Sequence, residues 1–175
     1  MNDRSQIVTF VDHNLDAAIR DIISKPVGAT YTHELKQITS LCACRKNIES
    51  LSGLEYCFRL KRLCLWCNQI YDISPLAELT KLKELDLGLN KITDVSPLAS
   101  LINLESLSLF GNSVTDISSL STLTKLKRID LAYNDIIDLS PLASLPNLVS
   151  LEVWLNEIQD TSSLKGFANL KEVYL

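Results

Sequence analysis

The residues of this chain best equipped for chemistry are its five cysteines, all of which fall between positions 42 and 67. Cys42 and Cys44 form a C-x-C pair, and Cys64 and Cys67 form a C-x-x-C pair that begins 22 positions after Cys42. Thiolates grouped in this way can hold zinc, close a disulfide or stay free, and the backbone decides which. Zinc needs its sulfurs at about 2.3 Å from one ion, whereas a disulfide needs the two Cβ atoms to close to about 3.8 Å. No other catalytic constellation is visible. His13 and His33 have no Cys or Ser partner at a recognised spacing, so both read as solvated surface. None of the five glycines builds a GxGxxG or P-loop cradle. Neither an enzyme nor a bound cofactor is expected, and no residue is assigned as a metal ligand.

The elements that position these cysteines follow from a strict internal repeat. Asn68, Asn90, Asn112, Asn134 and Asn156 fall in one column, each 22 positions from the last. Ile70, Ile92, Val114, Ile136 and Ile158 share that spacing, as do the Asp72 to Asp160 and Leu76 to Leu164 columns. Self-similarity at this period defines a leucine-rich repeat solenoid. Within each unit, a pair such as Leu85 and Leu87 alternates with Asp86 and Gly88, the period of two of a short strand with one inward face. Successive strands then stack as a parallel sheet. A buried Asn must bond backbone groups, which predicts an asparagine ladder. Ser74, Ser96 and Ser140, each before a proline, read as caps of short helical turns on the opposite side. Ser119 and Ser163 replace that proline, so their turns are expected to be less rigid.

The repeated unit LxxLxLxxNxIxDISPLxxL, with DISPLAEL at Asp72 to Leu79 and DVSPLASL at Asp94 to Leu101, resembles the repeats of the bacterial internalin family. The segment from Ile48 to Leu60, of the form IxSLxGLEYxxxL and preceded by helical sequence, is similar to the internalin cap. The resemblance thus spans nearly the whole chain. It implies a non-enzymatic module that binds proteins through the sheet face.

The fold expected is therefore α/β: a leucine-rich repeat solenoid with a parallel sheet on its concave face, short 3-10 turns on its convex side and a helical cap. Residues 1–59 form the cap with a degenerate first coil, and residues 60–175 form the repeats, with no visible C-terminal cap. In the cap, Met1 to Thr9 reads as a loose lead-in. Leu15, Ala18, Ile19, Ile22 and Ile23 make one helical stripe, with Asp12 as N-cap and Pro26 and Gly28 as the stop. A second helix follows near Thr32, with Leu35 and Ile38 inward. Leu41 and Ala43 take inward strand places in the degenerate coil, where Lys46 stands in the asparagine column. The last residues, LKEVYL, begin a sixth repeat strand whose apolar edge offers a surface for self-association, unless the chain is a scaffold fragment of a larger multidomain protein.

Composition bounds the partners. With 46% hydrophobic and 22% charged residues the chain suits one folded unit. A net charge of −4 argues against nucleic acid, and no apolar run is long enough to cross a bilayer. The N-terminal MNDRSQIVTF lacks an apolar signal core, which favours the cytoplasm, or a secreted or surface location if a signal has been removed.

Placed on this frame, Cys57 joins a leucine column and reads as buried. Cys42 and Cys64 take the outward strand position of Asp86, Cys44 the next outward position, and Cys67 lies just beyond the strand. A rigid sheet is expected to spread these sulfurs too widely for easy tetrahedral closure. Free thiols are therefore the expected state, with a strained disulfide or a metal site at the cap end as alternatives. The outward sheet face carries two further columns: Cys64, Asp86, Ser108, Asp130 and Glu152, then Trp66, Gly88, Phe110, Ala132 and Trp154. Large aromatics on a solvated strand face suit an interface. Trp66, Asp86, Phe110, Asp130, Tyr133, Glu152, Trp154 and Tyr174 are the candidate contacts for a protein partner with basic and apolar surface. The three aromatics of the second column should stand roughly 10 Å apart at two coils' separation.

Overall fold

The computed structural model describes residues 5–166 and 169–175. The expected lead-in over Met1 to Arg4, and the side chain of Ser163, lie outside the described part. Beyond Arg4 the lead-in is not loose. Strand β1 (Ile7–Val8) pairs antiparallel with β2 (Thr30–Tyr31). The pairing follows from burial, because Val8 and Phe10 on alternate positions reach the core. Phe10 lies against Gly53, where a Cβ would come within 2.7 Å of the ring and where φ is +100°. Both conditions demand glycine at that turn.

Helix α1 (His13–Ile23) is capped by Asp12, whose Oδ1 accepts the N–H groups of Asn14 and Leu15. Oδ2 of the same carboxylate accepts from Glu49 at 2.7 Å and from Ser50 at 3.3 Å, so one side chain ties the helix to the first coil. Leu15, Ala18 and Ile19 are buried as expected, but Ile22 is 43% exposed. Ile22 faces an open groove shared with His33, Gln37 and Ile38, whereas Ile23, also on that groove, is partly buried against the core. The helix stops at Ser24, which takes a left-handed conformation. The short α2 (Thr32–Leu35) follows, with Leu35 and Ile38 inward.

The solenoid then stacks β3 (Ser40–Cys42), β4 (Arg62–Cys64), β5 (Glu84–Asp86), β6 (Ser106–Ser108), β7 (Arg128–Asp130), β8 (Ser150–Glu152) and β9 (Glu172–Tyr174) in chain order. All pairs are parallel, with each residue opposite the one 22 positions later, as in Leu41 to Leu63 and Leu63 to Leu85. The repeat length thus sets the register. Inward leucines from successive coils build one continuous column of buried side chains from the cap to Val153, and Cys57 is fully buried within it.

Two devices hold each coil to the next. Every ladder asparagine reaches back one coil: Asn112 Oδ1 accepts from Ile92 N–H at 3.0 Å, while its Nδ2 donates to Leu87 and Leu109 carbonyls at 3.1 and 2.9 Å. Asn68 compensates for Lys46 in the preceding coil by accepting from both Lys46 and Ile48 N–H groups. The residue before each column position, namely Arg45, Cys67, Leu89, Gly111, Tyr133 and Leu155, has φ between 52° and 63°. Only one of the six is glycine, so left-handed strain of about 1–2 kcal/mol per non-glycine position is carried by the turn that aims the asparagine inward.

The convex 3-10 turns begin at Ser74, Ser96, Ser118, Ser140 and Ser162, with proline at the second position of three of them. These serines do not cap. The side chains of Asp72, Asp94, Asp116, Asp138 and Asp160 accept the serine N–H groups at 2.7–2.8 Å. A carboxylate two residues upstream reaches that N–H in an Asx turn, so the aspartate column takes the role assigned to serine. In the proline-free turn the Ser119 hydroxyl donates to Val95 O of the preceding coil. Among the described residues no helix is long and apolar enough to cross a membrane.

Candidate functional site

Strand periodicity puts one residue of each coil's last strand position, and the residue two further on, on the outward face. In the second of these columns the rings lean sideways. Phe110 and Trp154 stand with centroids 5.7 Å apart on either side of the fully buried Ala132 in the same column. The expected spacing of roughly 10 Å is therefore too long for this pair. The small residue between them leaves room for the rings to tilt together. Tyr133, held in the left-handed turn, brings its ring to 6.3 Å from Phe110 and is 57% exposed. The three rings form one patch, and none belongs to the buried core.

Asp130 and Glu152 lie in register beside this patch. Asp130 Oδ1 accepts from Ala132 N–H at 3.0 Å, and burial pushes its pKa up, with the Glu152 charge adding to the rise. Among the described residues no cation pairs with either carboxylate. The lysines lie elsewhere: Lys83 and Lys127 clasp Glu105 at 2.9 and 2.8 Å beside the strand starts, which holds the Glu105 carboxyl down to about 2.

The remaining candidates separate. Trp66 folds over Gly88, where a Cβ would fall 2.8 Å from the indole, and Arg45 stacks on its ring at 4.6 Å. It therefore belongs to the cap end of the face. Asp86 lies at that end too, with its carboxylate bonded to Gly88 N–H and next to Cys64. Tyr174 is exposed on β9, opposite Glu152. His13 and His33 are exposed.

Three of the outward cysteines converge, contrary to the expected spread. The sulfurs of Cys42, Cys44 and Cys64 lie within 4.8 Å of one another. Cys42 and Cys64 are register partners, and Cys44 leans back across the diagonal toward Cys64. Cys67 stays outside the group, because its left-handed turn carries it off the strand face. The regular column positions locate all four cysteines, but the diagonal lean has no signal in the pattern.

A stacked parallel sheet with one asparagine and one convex 3-10 turn per coil defines a leucine-rich repeat protein. The family model described as "Leucine Rich repeats (2 copies)" matches residues 59–100 and 102–144. The chain is similar to the internalin InlF of Listeria monocytogenes, with 34% identity over 94% of this chain and 56% of that one, at a TM-score of 0.80. It is similar to the internalin C2 of the same organism, with 31% identity over 94% and 93% of the two chains, at a TM-score of 0.63. A leucine-rich repeat protein of Leptospira interrogans aligns with 28% identity over 79% of this chain and 38% of its own, at a TM-score of 0.73. No curated protein sequence matches the chain. The chain belongs to the internalin-like leucine-rich repeat family. It spans little more than half the length of the InlF structure.

Proposed function

We propose that this chain is a non-enzymatic recognition module that holds a protein partner on the concave face of its sheet, over coils four to six of the stack. The observation that carries the reading is the patch of Phe110, Tyr133 and Trp154 beside Asp130 and Glu152. Rings held outside the core offer anchors, and carboxylates without a cation among the described residues offer charge to a partner. The patch is shallow and open, which suits a protein surface rather than a small metabolite. The partner's matching surface carries Lys or Arg side chains among aliphatic groups, since a cation there meets both carboxylates and ring faces.

The test is photo-crosslinking. A photoreactive phenylalanine analogue placed at position 110 captures the partner, and the same analogue at Ala99 on the convex 3-10 turn does not. Capture from Ala99 alone would move the interface to the convex side and defeat the reading.

A further inference from the structure

The cap end of the face holds a second constellation that partner binding does not use. We propose that Cys42, Cys44 and Cys64 form a zinc site that clasps the degenerate first coil to the first regular one. Their three sulfurs already lie within 4.8 Å of one another on a face open to solvent. On a tetrahedral ion with Zn–S bonds of about 2.3 Å, two thiolates stand about 3.8 Å apart. Cys42 and Cys44 Sγ, at 3.6 Å, nearly match that edge. Cys44 and Cys64 Sγ, at 2.8 Å, must open by about 1 Å through side-chain rotation of these two half-buried residues.

The surroundings fit the same ion. Cys42 and Cys64, though not Cys44, line an open depression of about 380 Å³ together with Glu84, Asp86 and Arg62. Asp86 Oδ2 stands 3.4 Å from Cys64 Sγ, while its Oδ1 is fixed by Gly88 N–H. Charge selects the dication: three thiolates with Zn²⁺ leave one net negative charge beside Asp86, whereas a monovalent copper ion leaves two. Binding converts three thiols and one Zn²⁺ into the tris-thiolate complex, with three protons released to solvent and no redox change.

The site does not depend on the aromatic patch, so its failure would leave that reading intact. The full 175-residue chain, reduced and freed of metal with a chelator, is titrated with Zn(II) alone against a chromophoric competitor. The expected result is one zinc per chain, with affinity falling at least roughly 100-fold in Cys64→Ser and unchanged in Cys67→Ser. Because a serine variant could disturb the first coil, alkylation of the unaltered protein gives a second readout. Zinc should protect Cys42, Cys44 and Cys64 while Cys67 still reacts. Absence of stoichiometric zinc binding, retention of full affinity in Cys64→Ser, loss of it in Cys67→Ser, or uptake of Cu(I) but not Zn(II) would each overturn the assignment.

Discussion

Asn112 satisfies an N–H of the coil before it and carbonyls of two coils at once, so its removal strands groups that the core has already cut off from water. Asn112→Ala should lower stability by about 1–3 kcal/mol in chemical denaturation, and an unchanged midpoint would show that the amide is dispensable. Asp130 acts in the opposite sense. Burial and then Glu152 raise its folded pKa, so at neutral pH the ionised carboxylate weighs against folding. That cost vanishes as the pH falls through the raised folded value, and below the unfolded value of about 3.9 the group is neutral in both states. Asp130→Asn, which keeps an acceptor for Ala132 N–H, should therefore raise the melting temperature at pH 7 and lose this advantage in acid. A variant no more stable at pH 7 would mean that the charge is well solvated. The asparagine ladder and the outward position of these groups were legible in the column pattern. The tilt of Phe110 toward Trp154 was not, because it depends on the volume left above Ala132 rather than on the period.

Among the elements, α1 is joined to the first coil by its buried Leu15, Ala18 and Ile19, by Asn14 Nδ2 donating to Asn47 O, and by the Asp12 carboxylate. Burial alone would raise the Asp12 pKa, but the N–H groups of Glu49, Leu15, Ser50 and Asn14 outweigh it and hold the pKa below its ordinary value. A depressed carboxylate contributes stability that is complete above the unfolded pKa and lost as the pH falls through the folded value. Asp12→Ala should cost about 1–2 kcal/mol at neutral pH, a deficit that shrinks below about pH 4. A cost independent of pH would assign the loss to packing rather than to the charge-assisted cap. The helix, its cap and most of its stripe could be read from spacing, and Asp12's second role could not, since it joins residues 37 positions apart. The convex turns show a related limit. Both the Asp and Ser columns were visible, but which of them reaches the free N–H depends on turn geometry, and the aspartate two residues upstream does.

For the whole molecule, a period of 22 was enough to place the sheet, the parallel register and the solenoid core, because each coil repeats one pairing with its neighbour. What a one-dimensional pattern could not supply is diagonal and lateral packing: the convergence of three thiols at the cap end and of three rings in the central coils. These two clusters divide the outward face into a cap-end group of thiols and a central group of rings, with Trp66 and Asp86 beside the former. The central claim is that Phe110 and Trp154 serve binding and not folding. The most direct measurement is the affinity of the crosslinked partner, purified, for the Phe110→Ala/Trp154→Ala double variant, taken alongside its melting temperature. The account predicts a nearly unchanged melting temperature and binding weakened by about 2 kcal/mol or more, roughly 30-fold. A large loss of stability, or full affinity with both rings removed, would contradict it.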